Sequence, residues 1–154
     1  MQFELLTLSG PRYEGEVAEV SVMTASGQVA ILPHHEALTS VIAPGAIIVT
    51  PKSGTTELFA TFGGLLEVTK EQVRILTDEA EPADELVESE IKAAIAEAER
   101  LIASAQDAPQ LARANRMLDR SAVRLGVARL KRHHHHHGRP TDKSSTRPDD
   151  SPSE

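Results

Sequence analysis

Three groups of side chains in this 154-residue chain have the types that chemistry uses: His34-His35-Glu36, the run His133 to His137, and a dense set of carboxylates and arginines after residue 77. His34, His35 and Glu36 follow Pro33 in a predicted loop and suggest metal binding or acid-base work. Adjacent residues do not converge readily on one ion, and the β-rich first part supplies no cysteine, further histidine or paired carboxylate to complete a coordination sphere. A loop histidine that bonds locally or touches a partner is the simpler reading. The five consecutive histidines could chelate a transition metal, yet contiguous histidine in a polar tail does so without any built site, so the run is set aside from fold reasoning. No Gly-x-Ser-x-Gly turn offers an activated nucleophile, and Gly10 and Gly63-Gly64 lead into no helix and no Gly-Lys-Ser/Thr phosphate cradle. No catalytic residue, cofactor site or resident metal is expected.

The charges are more informative. Residues 78–99 hold nine carboxylates against Lys92 alone, and residues 110–132 hold seven Arg or Lys against Asp119 alone. Each segment calls for an oppositely charged neighbour. Either the two neutralise each other, or the arginines Arg113, Arg116, Arg120 and Arg124 dock on an acidic protein surface, for which the planar guanidinium suits carboxylates better than lysine does.

Composition narrows the field further. The chain is 40% hydrophobic and 25% charged, ordinary values for a globular protein, but it holds only three Phe, one Tyr and no Trp. Its core is therefore aliphatic, with few rings on which bases or sugars could stack. A formal charge of -7 opposes general attraction to nucleic acid or anionic lipid. Zero cysteines exclude disulfides and thiol chemistry. No run approaches the roughly 20 apolar residues of a membrane span, so no direct lipid insertion is expected, and the N-terminal residues show no secretory-signal pattern.

The elements that position these groups are legible in outline. Residues 2–77 alternate short Val-, Ile- and Leu-rich runs with turn residues every 8 to 12 positions. Runs are predicted at 2–8, 16–24, 29–32, 46–50, 57–62, 65–69 and 72–77, with Pro44-Gly45 as a boundary. Nothing between them is long enough for a crossover helix, so an antiparallel β-sandwich over residues 1–82 is expected. From residue 78 the composition turns to Ala, Glu and other helix formers. Asp84, Glu85 and Glu88 suit the positive end of a helix dipole. Val87, Ile91, Ala94, Ile95, Ala98, Leu101, Ile102 and Ala105 recur at helical spacing to about Gln106. After the break at Asp107-Ala108-Pro109, a second helix to Arg132 places Leu111, Ala114, Leu118, Ala122 and Leu125 opposite the arginine stripe. Residues 83–132 are thus an antiparallel helical hairpin, and residues 133–154, the His run and a segment without core-forming residues, a disordered tail.

Specific strings go beyond the pattern: Gly27-Gln-Val-Ala-Ile-Leu-Pro-His-His35, then Pro44-Gly45, then Phe59-Ala-Thr-Phe-Gly-Gly-Leu-Leu-Glu-Val68. With the sandwich-then-hairpin order, residues 1 to about 132 resemble the epsilon subunit of bacterial and chloroplast ATP synthase, called delta in mitochondria. The resemblance implies a non-catalytic central-stalk subunit on the cytoplasmic face of the cell membrane, a peripheral protein in a complex that couples hydrogen ion transport to ATP synthesis. Its sandwich would bind the gamma subunit and rest on the c-ring, with Thr7, Gln28 and His35 at the c-ring contact. Its hairpin would either lie folded against the sandwich or extend along gamma into the alpha/beta catalytic head and inhibit hydrolysis, in the second case with Arg113, Arg116, Arg120 and Arg124 meeting an acidic loop of a beta subunit. Where some members bind ATP through Leu-Asp-x-x-Arg-Ala, this chain has Leu86, Val87, Glu90 and Ile91, lacking both the Asp and the Arg, so no comparable ATP site is expected. The alternative from the residues alone is a free-standing β-sandwich interaction module with a partner-docking hairpin.

Overall fold

The computed structural model describes residues 1–136, with side chains to residue 134. Eight strands come first: β1 Gln2–Thr7, β2 Gly10–Thr24, β3 Gly27–Ile31, β4 Leu38–Pro51, β5 Glu57–Thr61, β6 Gly64–Val68, β7 Gln72–Leu76 and β8 Ala80–Pro82. A single 3-10 turn, Ala83–Glu85, leads to helices α1, Glu88–Ser104, and α2, Ala108–His136. The strands hydrogen-bond in the order β3-β2-β1-β7-β6-β4-β5-β8, and β2 also pairs with β4.

That extra pairing folds the sheet into a sandwich. The Gly10–Glu16 part of β2 pairs with β1, while Val17 to Thr24 pair with β3 and β4. Likewise Leu38 to Ile42 of β4 pair with β6, and Gly45 to Val49 pair with β5. Each long strand bends from one layer into the other. Layer 1 holds β1, β7, β6 and the first parts of β2 and β4; layer 2 holds β3, β5, β8 and the second parts.

Pro44-Gly45 therefore lies inside a strand instead of bounding one. Pro44 falls between the stretch paired with β6 and the stretch paired with β5, a gap in the ladder where a missing N–H costs nothing. The first stretch of that strand, Leu38 to Ile42, was not among the predicted runs because Thr39 and Ser40 dilute its apolar pattern. β8 was also missed: three residues, two of them Glu and Pro, carry no strand signal, and only pairing with β5 makes them one. One pairing departs from the antiparallel expectation. β1 and β7 run parallel, neighbours in layer 1 after the chain between them has passed into layer 2 and back twice, through β2–β3 and through β4–β5.

Alternate residues of both layers point inward, and Phe3, Leu5, Val20, Ile31, Ile47, Val49, Leu66 and Ile75 are fully buried between them. At the β5–β6 turn, Gly64 (φ +150°) sits where any Cβ would collide with the Leu76 carbonyl oxygen. Beside it the buried hydroxyls of Thr61 and Thr77 lie 2.9 Å apart, and Thr77 donates to the Gly63 carbonyl at 2.6 Å. One proton each satisfies both groups, and the relay ties the end of β7, and so the start of β8, to β5.

The hairpin forms as expected, with two adjustments. α1 starts at Glu88 instead of near Asp84, because Leu86 and Val87 are extended. α2 begins under an Asp107 cap, whose carboxylate accepts from the Gln110 amide at 2.8 Å, while the Gln110 side chain accepts from the Gln106 amide at 3.1 Å. It runs four residues past Arg132, so His133 to His136 continue the helix; the expected disordered tail beyond them lies outside the described residues.

Gly126 is exposed in mid-helix, and a Cβ there would meet nothing within 4 Å. Gly126→Ala should stabilise α2 by about 0.5–1 kcal/mol through lost unfolded-state entropy, read as a higher urea midpoint with an unchanged denaturant slope.

Candidate functional site

Among the described residues no group of three or more His, Asp or Glu could hold a metal ion. His34 adopts a left-handed backbone (φ 69°) and is exposed, and His35 Nδ1 lies 2.8 Å from the Glu36 carbonyl, so the triplet forms a turn. The functional surfaces are of another kind: a charged contact between hairpin and sandwich, and an apolar face.

α2 has two apolar faces where one was expected. Ala114, Ser121 and Ala128 are buried with Leu118 and Leu125 partly so, on the side that closes against α1, but Ala122 is exposed. Val123, Val127 and Leu130, on the other side of the helix, pack with Leu58 and Ala60 of β5, Ala46 and Ile48 of β4, and Leu86. Their 4- and 3-residue spacing was the available signal; the conspicuous arginines of the same half-turn masked it.

The arginine stripe divides accordingly. Arg120 is ion-paired with Glu79, and lies 4.0 Å from Glu81. Arg124 makes a forked contact with Glu81, Nε at 2.7 Å and a terminal nitrogen at 2.5 Å. Both stack on the Phe62 ring, their guanidinium carbons 3.8 and 5.3 Å from its centroid. These acids belong to the β7–β8 link and β8, so the stripe faces the sandwich and not α1. Among the described residues, ion pairs from α2 reach the first helix only at its start, where Glu88 meets Arg132 at 3.1 Å and Arg129 at 3.7 Å; Lys131 pairs with Asp84 in the 3-10 turn. Arg113 and Arg116 are exposed and form no ion pair among the described residues.

The hydrogen bonds from Arg124 hold the Glu81 carboxyl below its ordinary value against the opposing effect of burial, and the same contact raises Arg124. The contact is a latch: two charges on each side, an aromatic ring beneath, and half-buried geometry.

The proposed c-ring residues are not brought into one cluster. Thr7 ends β1, and its hydroxyl donates to the Gly10 carbonyl at 2.8 Å to close the β1–β2 turn. Gln28 is exposed on β3 and donates to Ser21 Oγ at 2.9 Å. His35 is half-buried in the β3–β4 connection. The ladder aligns Leu38, just after His35, with Val68, Val73 and Phe3, near the opposite end of β1 from Thr7.

A surface that sequence reading did not single out crosses layer 1. Pro11, Leu6, Leu76, Leu65 and Val41 are successive cross-strand partners on β2, β1, β7, β6 and β4. The neighbours in sequence, Leu5, Ile75, Leu66 and Ile42, are buried inside, so this row faces outward. Leu65, Leu76 and Val41 are 39%, 41% and 62% exposed. At about 4.8 Å per strand the row is roughly 19 Å long. The next outward row is polar, with Arg74 bonded to Glu4 at 2.9 Å.

Comparison with known proteins agrees with this architecture. The family model described as the ATP synthase delta/epsilon chain beta-sandwich domain matches residues 1–83. The ATP synthase epsilon chain of Herpetosiphon aurantiacus is 39% identical over 133 residues, covering 86% of this chain and 97% of that one. That of Bacillus velezensis is 36% identical over 128 residues, covering 83% and 96%. Among solved structures, a chain of the Euglena gracilis mitochondrial ATP synthase shares the fold with a TM-score of 0.65 at 21% identity, covering 85% of this chain and 78% of that one.

Neutralising one latch acceptor tests the charged contact. Glu81→Gln should weaken hairpin docking by about 1 kcal/mol once exposure is allowed for, read as faster amide exchange in α2 with the sandwich unchanged. A carboxyl lowered by folding stabilises the folded state above its unfolded value and loses that contribution as pH falls through the lowered one. Below about pH 4.5, the ordinary value, the parent protein should therefore converge on the variant.

Proposed function

Because the chain belongs to the ATP synthase delta/epsilon chain family, we propose that it is the non-catalytic central-stalk subunit that couples proton flow to ATP synthesis and restrains hydrolysis through its hairpin. The observation that carries the reading is the apolar row across layer 1 on a face that the hairpin leaves bare. A soluble chain rarely leaves so continuous an apolar surface without a partner. The gamma subunit is the partner assigned to it.

The remaining contacts follow from position. Gln28 and His35 lie on one exposed segment, β3 and the connection after it, and are the stronger candidates for the c-ring; Thr7 has a structural role in its own turn. For the hairpin, the described arrangement is the docked state. Arg113 and Arg116 are open to an acidic loop of a beta subunit, whereas Arg120 and Arg124 can reach one only after leaving Glu79 and Glu81. The latch therefore sets the cost of inhibition. Such a subunit would work at the cytoplasmic face of the cell membrane as a peripheral protein; no described helix is long and apolar enough to cross.

Co-sedimentation with the cognate gamma subunit decides the matter. The full chain should bind it stoichiometrically, and Leu65→Asp, which places a charge mid-row without touching the core, should weaken binding at least about tenfold, as desolvating an unpaired charge costs upward of 1.4 kcal/mol. No binding by the parent chain would refute the proposal.

A further inference from the structure

A cleft of about 570 Å³ opens at the edge of the apolar row, between the β1–β2 turn and the β5–β6 turn. One wall is apolar, made by Leu6, Leu8, Leu65 and Leu76; the facing wall is Phe62 with Arg120 of α2. Leu8, at the tip of its turn, is 85% exposed and extends the apolar patch of Leu6, Leu65 and Leu76 along the cleft. The Arg120 guanidinium carbon lies over the Phe62 ring, 3.8 Å from its centroid, and its charge is met by Glu79. An apolar group entering between the leucines and Phe62 would therefore meet an aromatic face and a guanidinium already paired with Glu79, while the exposed Asp78 carboxylate at the cleft stays in water. The two walls have different owners: the first belongs to the sandwich, the second is completed by the hairpin.

We infer that this cleft receives a large apolar side chain of the gamma subunit and is complete only while α2 is docked, so that gamma senses the position of the hairpin through Arg120. The inference rests on the placement of gamma on layer 1. The cleft is continuous with that surface, sharing Leu6, Leu65 and Leu76 with the row. Linkage makes the effect reciprocal: gamma seated in the cleft favours the docked hairpin by the factor that docking favours gamma. The latch is then under the control of the neighbouring subunit and is not merely an internal ion pair.

The test is the affinity of the full chain for cognate gamma, by titration calorimetry. Arg120→Ala removes the hairpin's part of the wall and should weaken binding about 5- to 20-fold, within the usual range of coupling between sites. Arg100→Ala, which removes an equal charge from the exposed side of α1, should change it less than about twofold. Leu8→Ser should weaken binding in the parent chain but add little in the Arg120→Ala background, because the slot is already lost. Equal effects of Arg120→Ala and Arg100→Ala, or fully multiplicative effects of Leu8→Ser and Arg120→Ala, would overturn the inference, and are the results expected if a small molecule occupies the cleft. Should Arg120→Ala unfold the hairpin, Arg120→Lys keeps the charge but loses the guanidinium contact over Phe62, and the same comparison applies. Absence of binding by the parent chain overturns the gamma assignment and the slot with it; parent binding that the variants leave unchanged overturns the slot alone.

Discussion

The pairing of β2 with β4 is the constraint on which the molecule depends. Both strands are long enough to serve two layers, and each bends where its ladder partner changes. Once Val20 faces Val49 and Val22 faces Ile47, the register of β1, β6, β5 and β3 is fixed in turn, because a one-residue slip would turn the buried valines and isoleucines outward. The parallel contact of β1 with β7 then closes layer 1. β8 inherits its place from β5, and with β8 comes Glu81, while the Thr61–Thr77 relay fixes the chain just before Glu79. The docking site of the hairpin is a remote consequence of that register.

The hairpin illustrates how a marginal element acquires a definite position. Two helices of 17 and 29 residues, closing mostly through alanine, bury little area against each other. Docking adds Val123, Val127 and Leu130 on the outer face of layer 2 and the arginine contacts at its edge. Apolar burial supplies most of the attraction and is indifferent to exact alignment; the forked Arg124–Glu81 contact and the Phe62 stack supply the alignment. Because those charges are half-exposed, the contact is strong enough to select one position and weak enough to be exchanged for another partner. A fully buried ion pair would not have this property, since breaking it leaves an uncompensated charge.

The two layers thus present unlike outer faces. Layer 2 is covered by α2, which is why β5 is buried on both sides. Layer 1 is bare, with polar residues at one end and the apolar row at the other. The cleft at Phe62 is where these two environments meet, lined by strand residues of layer 1 and by Arg120 of α2.

Local chemistry determined much of this from the sequence alone. Turn residues at regular spacing dictated a β-domain, apolar periodicity dictated α1 and one face of α2, and the segregation of charge announced that the arginines needed acidic partners. Those are properties of neighbours in sequence, and any chain with that pattern would express them. Tertiary structure decided what depends on distant partners. It joined Leu38 to Pro51 into one strand across Pro44, made β8 out of Ala80–Pro82, gave Val127 a sheet to cover, and directed Arg120 and Arg124 to Glu79 and Glu81 instead of to α1. It also aligned Pro11, Leu6, Leu76, Leu65 and Val41, which no window of sequence contains, into one exposed surface. The reason is the same in each case: strand pairing brings together residues separated by tens of positions, and a surface built across strands has no periodicity along any one of them.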